Sequence, residues 1–175
     1  MSGPVIQNLR HQLPARIQFK LDLWSAGRRT TGALRPMGDL NAARRDLNLE
    51  QEEIHFLLSQ RRLIGFNIAV KAQGRAELRI LTRSLEHFRE TGGRANPERE
   101  WPQILRLIFP AMAGPLRPDL LTGLELQQAL NCSRAHVENL AARHFEILRP
   151  AQKGRGHTPG FRASSVERWL QSRMF

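Results

Sequence analysis

The chain has no tyrosine, a single cysteine and only four aspartates among its 175 residues. Without tyrosine it cannot be a tyrosine recombinase, a tyrosine relaxase or a topoisomerase of the tyrosine type. Asp22, Asp39, Asp46 and Asp119 fall in separate segments, a poor start for a two-metal nuclease. Cys132 alone cannot close an intramolecular disulfide. No paired His/Cys spacing supplies a zinc framework, which points to a reducing cytoplasm as the expected compartment. His11, His55, His87, His136, His144 and His157 are scattered without ligand spacing. No apolar run approaches the roughly 20 residues that a membrane span needs, and no signal-type apolar segment opens the chain. The expectation is a non-enzymatic protein of the cytoplasm, without metal, cofactor or membrane.

What the chain does have is arginine. Lysine and arginine total 27 against 16 acidic residues, a net charge of +11, and only Lys20, Lys71 and Lys153 are lysine. An excess of this size makes an anionic partner the default expectation. The excess is uneven: residues 1–38 carry six basic side chains and one acidic, while residues 39–93 are nearly balanced at nine and eight.

Residues 37–90 and 120–173 look like two copies of one unit. Leu47-Asn48 corresponds to Leu130-Asn131, Ile54 to Val137, and Arg83-Ser84-Leu85-Glu86-His87-Phe88 to Ser164-Ser165-Val166-Glu167-Arg168-Trp169. Similarity at both ends of a unit of this length argues duplication. Each copy reads as helix, tight turn, helix, two-stranded wing and closing helix. The coarse class is α+β, mostly α: two tandem winged helix-turn-helix domains joined by a helical linker.

Four segments follow. Residues 1–36 form an N-terminal arm, with Ile17, Phe19, Leu21 and Leu23 alternating as a β-strand before a basic loop. Residues 37–93 are the first winged helix-turn-helix. Asp39 caps its first helix, Ile54, Leu57 and Leu58 are buried by its second, and strands at 65–70 and 77–81 form its wing. Thr82 is expected to cap its last helix. Residues 94–118 hold a linker helix opened by Asn96-Pro97. Trp101, Ile104, Leu105 and Ile108 give it an apolar face to be covered by a repeat or by a second chain, and a homodimer is favoured slightly. Residues 119–175 are the second winged helix-turn-helix, with Thr122, Ser133 and Ser164 or Ser165 as caps. Trp101, Trp169 and Phe88 read as core. Cys132 reads as a small residue of the turn rather than a reactive thiol.

The stretch Leu121-Thr122-Gly123-Leu124-Glu125-Leu126-Gln127-Gln128-Ala129-Leu130, then Ser133-Arg134-Ala135-His136-Val137, then Phe161 to Leu170, resembles the excisionase/MerR-type winged helix family. The resemblance covers about a third of the chain well and the first repeat loosely. It implies reading of DNA by the helix after the turn, a wing on the flanking backbone or minor groove, and service to a mobile element as excisionase or transcription regulator. The first repeat departs from it. Where the second has Ser133-Arg134-Ala135-His136, the first has Glu50-Gln51-Glu52-Glu53, and carboxylates at that place repel DNA.

The candidate recognition residues are therefore Ser133, Arg134, His136, Asn139 and Arg143. Arginine and asparagine have the donor geometry for guanine and adenine edges. Lys153, Arg155, His157 and Arg162 are the candidates of the second wing and Lys71, Arg75 and Arg79 those of the first. Arg28, Arg29 and Arg35 are those of the arm. The function expected is sequence-specific binding of double-stranded DNA by a nucleoid-associated transcriptional regulator of a plasmid, phage or integrative element. A recombination directionality factor or a replication initiator would use the same parts. A subunit of a ribonucleoprotein or other assembly is the alternative of another class. The acidic first repeat is the expected contact for a recombinase or another protein.

Overall fold

In the computed structural model, residues 13–18, 35–71, 76–115, 117–148 and 160–175 are described. They form an α+β protein, mostly helical, in which one order of elements occurs twice. The first unit runs β1 (Met37–Asp39), α1 (Leu40–Leu47), α2 (Gln51–Ser59), β2 (Gly65–Asn67), β3 (Leu78–Leu81) and α3 (Thr82–Thr91). Helix α4 (Pro97–Ile108) and a 3-10 turn (Pro110–Ala113) follow. The second unit runs β4 (Leu120–Leu121), α5 (Gly123–Leu130), α6 (Arg134–His144), β5 (Ile147–Leu148), β6 (Gly160–Arg162) and α7 (Ala163–Ser172). Both sheets are antiparallel, and in both the last strand lies in the middle: β1-β3-β2 and β4-β6-β5.

Local chemistry explains why the two units agree. Asp39 accepts the amide of Ala42 at 2.7 Å to open α1. Thr122 and Glu125 exchange side-chain and backbone bonds to open α5. Each first helix then ends on an asparagine in the left-handed region, Asn48 at φ 47 and Asn131 at φ 48. Apart from glycine, asparagine takes that conformation at least cost. The next helix begins three residues later, after the N-caps Glu50 in one unit and Ser133 in the other, whose backbone angles match closely. The sharp turn between paired helices is thus written twice in residues suited to it.

Two clusters make the core. Ala43, Leu47, Ile54, Leu57, Ile80 and Phe88 belong to the first, which the helices of the first unit build on one face of their sheet. The other face, with Phe66, Ile68 and Leu81, joins α4 and the second unit in one continuous cluster. Every residue of β3 is consequently buried. The chain's last residues close the sheet edge: Asn67 N–H donates to Arg173 O and Phe175 N–H to Gly65 O, both at 2.9 Å, flanking an antiparallel bridge from Phe66 to Met174.

Several expectations are corrected. Residues 15–18 form a helical turn, not a strand. Leu13 and Ile17, four residues apart, both enter the first core, and that spacing suits a helical turn rather than a strand. Residues 19–23 lie outside the described residues. Strand β2 stops at Asn67 because the Asn67 side chain accepts the amides of Ala69 and Glu77, both at 3.1 Å, and so takes over the ladder locally. Thr82 does not cap α3: its hydroxyl donates to Arg35 O at 2.6 Å, and Leu81 stands at the N-cap. In α7 the N-cap is Arg162, and Ser165 instead donates to His144 O.

Helix α4 begins as its sequence predicts, with Asn96 accepting the amide of Arg99 and Pro97 in the first turn. Trp101, Ile104, Leu105 and Ile108 are all buried. Trp101 packs against Phe66 of the first unit, with centroids 6.4 Å apart, and donates its indole N–H to Glu167 of α7 at 2.9 Å. This face is covered within one chain. It is not presented to a second chain, because the free face of the first sheet and the core of the second unit already meet it.

Candidate nucleic-acid interface

Helix α6 is the second helix of the second pair, and its N-terminus is held by Ser133, whose hydroxyl accepts the amide of His136 at 3.2 Å. Val137, Leu140 and Ala141 enter the core. The opposite side exposes Arg134, Ala135, Glu138, Asn139, Ala142 and Arg143. Arg134 is open to solvent, its side chain 83% exposed, with Glu138 Oε1 2.8 Å from its Nε. Such a pair of exposed, flexible side chains is worth little, so Arg134 can exchange Glu138 for a stronger acceptor.

His136, proposed from sequence as a base reader, turns the other way. Its Nε2 lies 2.8 Å from Ile68 O and its Nδ1 3.4 Å from Glu77 Oε2, both in the first unit. Two turns on, His144 Nε2 lies 2.9 Å from Val70 O. These histidines fasten α6 along the first unit's hairpin and are not available to a groove.

Arg79 is corrected in the same way. It is 9% exposed and is no wing contact. Its Nε donates to Leu130 O at 3.0 Å and to Asn131 O at 3.2 Å, and another guanidinium nitrogen binds Glu77 Oε1 at 2.9 Å. Leu130 and Asn131 end α5, where the last carbonyls of a helix lack amide partners and its dipole is negative. A guanidinium from the first unit therefore caps a helix of the second. Arg35 also reaches this turn, donating to Asn131 Oδ1 at 2.5 Å.

The remaining candidates divide simply. Lys71 is exposed at the end of the described part of the first hairpin, and Arg162 is exposed beside Glu146 at 3.2 Å. Arg28, Arg29, Arg75, Lys153, Arg155 and His157 lie outside the described residues. In the first unit the acidic start of α2 is occupied by its own chain. Glu53 accepts the amide of Glu50 and pairs with Arg16 at 3.4 Å, and Glu50 pairs with Arg44 at 3.1 Å.

Sequence reading missed the seam residues as such. One signal was present: Arg79 stands among Leu78, Ile80 and Leu81, where a strand has no water for a charge. Arg62 is a second buried arginine, donating to Gly92 O at the end of α3. Burial, helped by Arg94, lowers its pKa. Nothing in its sequence neighbourhood marks it. Cys132 is half-buried, and burial pushes its thiol up to about 11 despite the nearby Arg79, so it is no nucleophile at neutral pH.

Among the described residues no cluster of His, Cys, Asp and Glu could hold a metal ion. None of their helices is long and apolar enough to cross a membrane. No family model matches the chain, and neither a curated protein nor a solved structure does.

Proposed function

We propose that this protein is a tandem winged helix-turn-helix protein that binds double-stranded DNA, with α6 as the helix that enters the major groove. One observation carries the reading. The helix that follows the left-handed Asn131 turn exposes Arg134, Asn139 and Arg143 across its solvent half, with the two arginines at opposite borders of that half, on a chain of net charge +11. Arginine and asparagine are suited to guanine and adenine edges, and the charge excess supplies the phosphate attraction on which such binding rests. The corresponding side of α2 offers Gln51, Glu52, His55 and Phe56, with no arginine, so the second unit is the reader. The role proposed is regulation of a mobile genetic element, in keeping with the resemblance of the second repeat to excisionase and MerR-type domains.

Competition among duplex DNA, single-stranded DNA and structured RNA tests the reading, with selection from random duplexes to recover a site. The expected result is preference for duplex, with log K falling by about 0.9 per log unit of salt for each phosphate neutralised. Preference for RNA, or affinity indifferent to salt, would overturn it.

A further inference from the structure

We propose that the hairpin of the first unit and helix α6 of the second form one duplex-gripping edge, in which Lys71 and Arg143 hold the same phosphate backbone. The proposal rests on the reading of α6 as the DNA-binding helix and extends it across the two units. In a single winged unit the helix and the wing come from the same repeat. Here His144 Nε2 lies 2.9 Å from Val70 O and His136 Nε2 2.8 Å from Ile68 O, so the first unit's hairpin runs along the flank of the second unit's helix.

Lys71 directly follows Val70, and Arg143 directly precedes His144. Arg143 is also seven residues from His136, two turns along a helix, and so lies on the flank that faces the first hairpin. Both side chains are exposed, and among the described residues neither pairs with a carboxylate. Acids of the neighbouring elements have other partners: Glu77 with Arg79 and His136, Glu138 with Arg134, and Glu146 with Arg162. Two cations without a carboxylate partner among the described residues thus stand at the seam beside the exposed side of the candidate reading helix. Arg79 fixes that seam from below through the carbonyls of α5. A phosphate strand passing α6 would meet Arg143 and then Lys71 without either unit moving.

Salt titrations with a short mixed-sequence duplex test this on the full chain with Lys71→Gln, Arg143→Gln and the double variant. Each single change should lower the steepness of log K against log salt by about 0.9, and the double change by about 1.8. Melting temperatures should stay at the wild-type value, since both side chains are exposed. A second measurement places a photo-crosslinker at Lys71→Cys or at Arg143→Cys in a Cys132→Ala background, on a duplex recovered by selection. Crosslinks to neighbouring nucleotides of one strand support the shared edge. Crosslinks more than about one helical turn apart, or a Lys71→Gln variant with unchanged slope while Arg143→Gln loses its share, overturn the shared edge and leave α6 as the reader. A wild-type chain indifferent to duplex removes both readings together.

Discussion

Arg79 Nε stands 3.0 Å from the carbonyl oxygen of Leu130, joining a strand of the first unit to the end of a helix in the second. The bond is buried and its donor is charged, so removing the side chain takes that donor from two carbonyls and leaves Glu77 with His136 alone. Arg79→Ala should cost about 2–4 kcal/mol. Arg79→Lys should recover less than half, because an ammonium cannot address Leu130, Asn131 and Glu77 at once. Urea midpoints at constant m measure both. Losses of only a few tenths of a kcal/mol would show that the seam contributes nothing.

Helix α6 should separate stability from binding by residue. His136→Ala removes a bond across the seam and should cost about 1–2 kcal/mol of stability. Arg134→Ala, at an exposed position, should leave stability within about 0.5 kcal/mol of wild type. It should nevertheless weaken a selected duplex site by about 1–3 kcal/mol while sparing non-specific binding. Glu52→Gln in the first unit should not weaken duplex binding. A larger binding loss from Glu52→Gln than from Arg134→Ala would exchange the roles of the two units.

Helix α4 should behave as core. Ile104→Ala and Ile108→Ala should each destabilise the chain by about 2–5 kcal/mol, the range for emptying a buried aliphatic site. Denaturant unfolding gives the cost and light scattering the mass. A stable variant whose only change is a fall from dimer to monomer would mean that the face is spent between chains instead.

Cys132 gives the pH dependence. Its thiol is raised from 9.0 to about 11, so the folded protein holds the proton more tightly than the unfolded chain does. The stability this contributes is complete below about pH 9, where both states are protonated. It is lost as pH rises towards 11 and the unfolded thiol ionises first. Cys132→Ala should flatten stability over that window. At pH 8, alkylation of the native thiol should be slower than in the unfolded chain by about 100-fold, the ratio of thiolate fractions. Equal rates would place the thiol in water.

Much of the local architecture was legible because its causes lie within a few residues. Asp39, Thr122, Ser133 and Asn96 cap helices by bonding amides three positions on. Asn48 and Asn131 turn the chain because asparagine tolerates the left-handed region. The repeat could be seen for the same reason: two copies of one local code leave matching residues at matching places. At Ile17 two spacings compete, alternation towards Phe19 and helical spacing from Leu13, and residues 15–18 are helical, while residues 19–23 lie outside the described residues. Leu13 and Ile17, at helical spacing, were the pair that found a core.

What lay beyond the sequence was the partner of each face. Periodicity marks Trp101, Ile104, Leu105 and Ile108 as one apolar side of a helix, and that much holds. It carries no information on whether the covering surface is the same chain or another, because the hydrophobic effect is non-directional. The basic and histidine positions were ambiguous for a parallel reason. Arg79, His136 and Arg134 all carry donors suited to an acceptor outside their own element. Only the packing of one unit on the other decided that Arg79 and His136 meet backbone carbonyls across the seam, while Arg134 remains in water.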